Sequence, residues 1–128
     1  MHDPLSLLSP KEAAVIPETA NAFEAVKKMN EFKQGCVLIQ DKAGHLKGIV
    51  TERDILFKTT SNGTDLKKIK VTQIMTANVE ILTEDSNLAL ALHQMSVKRL
   101  RHIPVTCAHG NTKILSARDL LKHVAKHL

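Results

Sequence analysis

Apolar positions along the chain fall into two matching series. Leu5 to Leu8 form a short apolar cluster that predicts a brief helix, with the Asp3 carboxylate at its cap and Pro4 in its first turn. Pro10 closes it. Ala13-Ala14-Val15-Ile16, ahead of Pro17, reads as a short edge strand. Thr19 to Lys33 has helical periodicity: Ala22, Phe23, Val26, Met29 and Asn30 share one face, with Ala25 and Phe32 beside it, and Gly35 stops the helix. Cys36 to Gln40 and Leu46 to Thr51 predict two strands of a hairpin around the turn Asp41-Lys42-Ala43-Gly44. A helix from Glu52 to about Thr60 follows, broken by Ser61-Asn62-Gly63. Residues 65–75 link to the second series and hold one or two short helices. There the order recurs. Val79 to Leu82 predicts a strand, Asp85 or Ser86 caps a helix through about Val97, and Ile103-Pro104-Val105 is a strand. His109-Gly110-Asn111 is a turn, Lys113 to Ser116 a strand, and Ala117 to about His127 the last helix.

The two series keep register. Glu84 follows Glu18, Met95 follows Met29 and Val105 follows Ile39 by 66 positions, and after the hairpin turn the offset falls to 65 (116 from 51, 118 from 53, 119 from 54). Such a period marks one unit written twice. Each half reads β-α-β-β-α. Neither half alone buries both faces of a three-stranded sheet. The expected fold is therefore α+β: two repeats, residues 1–66 and 67–128, packed sheet to sheet about an approximate two-fold axis.

The densest part of the repeat is Gly48-Ile49-Val50-Thr51-Glu52-Arg53-Asp54-Ile55-Leu56, copied as Lys113-Ile114-Leu115-Ser116-Ala117-Arg118-Asp119-Leu120-Leu121. A hydroxyl residue followed three positions later by an acid fits a capping box. An arginine inside the first turn both times opposes the helix dipole, by a few tenths to about 1 kcal/mol. That cost is offset if an anion sits at the same helix end, which is a ready phosphate site. A neighbouring carboxylate accepts hydrogen bonds from sugar hydroxyls. Thr or Ser, Arg and Asp together therefore suit a ribose phosphate.

Composition narrows the classes. A chain of 128 residues, 43% hydrophobic, suffices for one compact domain that buries roughly two-thirds of its unfolded surface. With three Phe and no Trp or Tyr, the core must be aliphatic, and platforms for stacking bases are nearly absent. The net charge of +5 suits an anionic partner or a merely soluble surface. Two cysteines without paired spacing point to a reducing, cytoplasmic compartment. Neither a signal peptide nor a membrane span is read. His102, Cys107 and His109 lack metal-ligand spacing. His123 and His127 read as surface residues at a helix C-terminus, and Met29, Met75 and Met95 as core filler. Serine-protease elbow, Walker loop and dinucleotide fingerprint are all missing, so no catalytic residue is assigned.

From about Asp3 to His127 the sequence resembles a tandem pair of CBS (cystathionine β-synthase) domains, a Bateman module. The resemblance rests on the two motifs above and on Arg101-His102-Ile103-Pro104-Val105, Gly35 to Asp41, and Val71-Thr72-Gln73-Ile74-Met75-Thr76. It implies binding of an adenosine-containing ligand (AMP, ADP, ATP, NAD or S-adenosylmethionine) in clefts between the repeats. In that family the hydroxyl and Asp of one repeat hold phosphate and ribose, and the purine lies against the other repeat. Carried over, Thr51, Arg53 and Asp54 would face Val79, Arg101, His102, Ile103 and Pro104. Ser116, Arg118 and Asp119 would face Ala14, Val15, Cys36 and Val37. Lys113 stands where the first repeat has Gly48, and Leu38 where the second has Pro104, so the two sites should differ; the Thr51–Asp54 site ranks first because Arg101 and His102 add polar contacts. The implied function is a non-catalytic nucleotide sensor with no required cofactor, forming a homodimer and acting through an effector protein. The alternatives are a structural dimerisation module with empty clefts, or weak nucleic-acid binding through Lys67, Lys68, Lys70, Lys98, Arg99, Arg101, Lys122 and Lys126.

Overall fold

The structure is a computed structural model that describes residues 2–108 and 110–127; the expected turn residue His109 lies outside them. In chain order the elements are a 3-10 turn at Leu5–Leu8, β1 (Lys11–Glu12), β2 (Val15–Pro17), α1 (Ala22–Phe32), β3 (Cys36–Gln40), β4 (Leu46–Thr51) and α2 (Glu52–Lys58). Two further 3-10 turns at Thr60–Asn62 and Leu66–Lys68 lead to α3 (Val71–Ile74). Then come β5 (Leu82–Thr83), α4 (Leu88–Lys98), β6 (His102–Thr106), β7 (Thr112–Ser116) and α5 (Ala117–Lys126). The fold is α+β, with one sheet in the order β2-β3-β4 and another in the order β1-β7-β6-β5.

These elements form two compact units, Ala14–Val79 and Met1–Ala13 with Glu80–Leu128. The boundary expected at 66/67 is the boundary of the sequence repeat, not of the units. The reason is a crossing of the leading segments. In one unit Val71 N–H donates to Ala20 O and Ala22 N–H to Ile69 O; in the other, Leu5 N–H donates to Ser86 O and Leu88 N–H to Asp3 O, at 2.8–3.0 Å. Every residue in the first set stands 66 positions from its counterpart in the second. Each sequence repeat thus gives its first dozen residues to the body of the other. Leu5 and Leu8 fill the core of the unit that holds α4 and α5, as Val71 and Ile74 fill the core around α1.

Local capping explains where the long helices begin and end. Asn21 and Asn87 accept from the Glu24 and Leu90 N–H groups at 2.9 Å, which starts α1 and α4 later than the expected Thr19 and Asp85 or Ser86. Both helices end on a basic residue in the left-handed region, Lys33 and Arg99, each at φ 54°, so Gly35 is not the stop. The buried stripe of α1 is Ala22, Ala25 and Met29. Phe23 and Phe32, expected in or beside that stripe, are instead more than a third exposed. Lysine ammonium groups lie over their rings: Lys27 and Lys67 at 5.9 and 5.0 Å from the Phe23 centroid, and Lys28 at 5.5 Å from Phe32. The small alanines let the helix approach the sheet, and the rings are satisfied at the surface by cations. The expected strand at Val79 to Leu82 shrinks to Leu82–Thr83, pairing parallel with β6. The expected strand over 13–16 shifts to Val15–Pro17, parallel to β3.

The outer edges of the two hairpins are covered by equivalent means. Thr76 forms an antiparallel bridge with Ile49 on β4, and 65 positions away in each direction of the repeat Lys11 pairs with Ile114 on β7. The approach differs in closeness. A Cβ on Gly48 would lie 2.6 Å from Met75 Sδ and 2.8 Å from the Thr76 carbonyl. The corresponding Lys113 instead meets Glu12 in a regular ladder that has room for a side chain. Gly48→Ala should therefore cost about 1–3 kcal/mol through overpacking, and Lys113→Ala no more than about 0.5 kcal/mol. Denaturant unfolding of the two variants checks this; equal losses would contradict it.

Candidate functional site

Each unit contains one hydroxyl–Arg–Asp corner, built at the junction of a returning strand and its helix. Thr51 caps α2: its Oγ1 accepts from Asp54 N–H at 3.2 Å, and Asp54 Oδ2 accepts from Thr51 N–H at 2.9 Å and from the Thr51 hydroxyl at 3.1 Å. Ser116 caps α5 in the same way, with both reciprocal bonds at 3.1 Å. The first helical N–H of each corner is also used: Glu52 N–H donates to Gly35 O at 2.9 Å, and Ala117 N–H to Arg101 O at 2.8 Å. By helix geometry the second N–H, that of Arg53 or Arg118, is then the orphan donor of the first turn. The arginine side chains are exposed. Arg53 folds along its own helix, with its guanidinium carbon 5.1 Å from the Phe57 ring centroid.

The two carboxylates differ in what balances them. Asp54 is 8% exposed, and Lys58 Nζ lies 3.0 Å from its Oδ1. The same ammonium donates to the Ile74 carbonyl at the end of α3, also at 3.0 Å. Lys58 therefore ties α2 to the linking segment while neutralising Asp54. Lys58 is absent from the residues expected at the site, although its spacing, four positions after an acid on a helix, is a signal the sequence carries. At the second corner position 123 carries a histidine, whose Nε2 lies 3.0 Å from Asp3 Oδ2. Asp119 keeps partial exposure without a lysine at that position.

The strands place the remaining expected contacts. Cys36 is the ladder partner of Thr51 and Val37 that of Val50, while Ala14 accepts from Leu38 N–H at 2.8 Å. Ala14, Cys36 and Val37 have no exposed surface, so their side chains serve packing; Val15 is half-buried. Burial, and secondarily the charge of Glu52, pushes the Cys36 thiol up to about 12, which makes it an inert group. In the other unit, half-buried His102 pairs with Ser116, Ile103 with Leu115 and Pro104 with Ile114. Ile103 and Pro104 are fully buried, and Arg101 is exposed. Val79 is half-buried at the end of its unit. Within a unit each corner is thus brought beside its own repeat's middle strand. Both cysteines are free. Part of the basic surface is committed, with Lys67 over Phe23 and Lys98 paired with Glu80. Among the described residues no helix is long and apolar enough to cross a membrane.

If Lys58 balances Asp54, the two act as a unit. A double-mutant cycle on Lys58→Met and Asp54→Asn should show a coupling of about 0.5–1 kcal/mol in unfolding free energy. The equivalent pair, His123→Ala and Asp119→Asn, should be additive.

Comparisons with known proteins agree with this architecture. The family model described as CBS domain matches the chain twice, over residues 8–59 and 71–126. A CBS domain-containing protein of Arabidopsis thaliana is 30% identical over 111 residues, covering 87% of this chain; the chain spans 19% of that relative's length. Among solved structures, the CBS-domain containing protein of Agrobacterium tumefaciens superposes with a TM-score of 0.85 at 25% identity, covering 95% of this chain and 99% of that one. A CBS domain protein of Pyrobaculum aerophilum, solved as a complex with AMP, gives a TM-score of 0.82 at 22% identity, covering 97% and 99%. The chain belongs to the CBS domain family and carries two copies of the domain.

Proposed function

We propose that this CBS pair is a non-catalytic regulatory module that binds an adenine nucleotide or related adenosyl ligand at its Thr51–Asp54 and Ser116–Asp119 corners and passes the signal to a partner protein. The observation that carries the reading is the duplication of the corner itself. Two helix starts, one per unit, repeat the same reciprocal cap, the same consumed first N–H and the same exposed arginine at a position where a cation opposes the helix dipole. An anion there offsets that opposition, and the orphan N–H and the arginine both suit phosphate. The AMP complex of the Pyrobaculum relative supports the choice of ligand class.

The proposal keeps Thr51, Arg53 and Asp54 and Ser116, Arg118 and Asp119 as the groups that hold the ligand, with Val79, residues 101–104, 14–15 and 36–37 as the further contacts expected from the resemblance. Because most of the strand residues are buried, their share of the recognition falls to backbone groups and shape, and Arg101 and His102 are the polar side chains that add to it. The Ser116 corner offers the carboxylate with less prior compensation. Ligand binding acts on the partner only through unequal affinity for two states of the module. Exposed Leu56 and Phe57 on α2 and Leu121 on α5, at 57%, 63% and 69%, are the surfaces assigned to a homodimer.

A thermal-shift panel of AMP, ADP, ATP, NAD and S-adenosylmethionine tests the ligand. At a hundredfold excess over Kd the best ligand should stabilise by about 2.7 kcal/mol. Asp119→Ala and Arg101→Ala should each remove much of that rise while leaving a folded protein. A panel with no response, or a response indifferent to both variants, would refute the sensor. For the dimer, Leu56→Lys with Leu121→Lys should shift the mass measured by light scattering to that of one chain.

A further inference from the structure

Outside both corners, one cluster combines three groups with the chemistry of a metal site. Asp3, in the leading segment, and His123 and His127, on and just beyond α5, bring one ligand atom each to within 4.8 Å of one another. The Asp3 Oδ2 to His123 Nε2 distance is 3.0 Å. The two imidazole rings have centroids 4.5 Å apart, tilted by 54°. The His123 side chain is 13% exposed and that of Asp3 45%. Asp3 therefore does not cap the Leu5–Leu8 turn, as the sequence suggested: Pro4 holds the cap position and no side chain bonds there. Nor is His123 a free surface residue. The His123 ring holds the Asp3 carboxyl below the usual carboxylate range, against the opposing effect of burial.

The repeat supplies an independent reason to treat the three as a set. Their counterparts in the Ala14–Val79 unit are Ile69, Lys58 and Asn62. There, Lys58 is spent on Asp54 and Ile74 O. The scaffold common to both halves thus has no use for an acid and two histidines at these places.

We propose that Asp3, His123 and His127 bind a divalent transition-metal ion of the zinc type, which clasps the leading segment to α5. Two imidazoles and one carboxylate are a donor set of that class, leaving further positions for water. Zn–N and Zn–O bonds of about 2.0–2.2 Å place tetrahedral ligand atoms about 3.3–3.5 Å apart. The Asp3–His123 contact is already that close, and the exposed His127 ring needs to move by on the order of 1 Å. The metal takes the place of the Nε2–Oδ2 hydrogen bond.

The test is calorimetric titration of Zn2+ into the full chain after chelator treatment, repeated with His127→Ala, Asp3→Asn and, as a control at an exposed histidine of the other unit, His45→Ala. Co2+ serves as a second probe through its visible absorption. The expected result is one Zn2+ per chain, with affinity about tenfold or more weaker in His127→Ala and in Asp3→Asn. His45→Ala should leave it unchanged, and the Co2+ band should be lost with His127. No saturable binding, or binding that survives His127→Ala undiminished, overturns the proposal and leaves a simple Asp3–His123 hydrogen bond.

Discussion

The constraint on which the rest depends is the pairing of each leading segment with the body of the other repeat. A three-strand hairpin unit has an open edge and a helix face that must be covered. Ile69 to Thr76 covers them in one unit and Asp3 to Glu12 in the other, through backbone bonds placed 66 positions apart. The corners inherit their positions from this. Gly48 is a glycine because Met75 and Thr76 cross close to it, and that crossing fixes the strand that ends at Thr51. Lys58 reaches Ile74 only because α3 lies against α2.

Local chemistry and the repeat period are legible in the sequence. The hairpins, the hydroxyl–acid caps and the two-repeat α+β plan all come from residue type and spacing, and β3, β4 and the cap at Thr51 fall where the pattern puts them. The misreadings share a cause. Phe23 counts as core by hydrophobicity, yet its surface position depends on Lys67, 44 positions later. Asp3 suits a cap by type, yet its partner is 120 positions away. A repeat period says which segments are alike, not which of them touch. Ala14, Cys36 and Val37 came from the family resemblance, and only the structure shows that they have no exposed surface.

The departures from symmetry say most about use. A scaffold duplicated for stability alone needs the same cap twice, and the reciprocal bonds of Thr51–Asp54 and Ser116–Asp119 satisfy that need equally. The next helical turn after each cap is where the two corners diverge. Four residues past Asp54 stands a lysine that neutralises it; four residues past Asp119 stands a histidine turned to Asp3. The first corner thus presents a carboxylate whose charge is balanced by the Lys58 ammonium. The second corner presents a half-buried carboxylate held by the Ser116 N–H, with no lysine at the matching position. The two corners therefore share one cap and differ in what stands a turn beyond it: an ammonium bonded to Asp54 at the first, and at the second a histidine that pairs with Asp3 and leaves Asp119 to its cap.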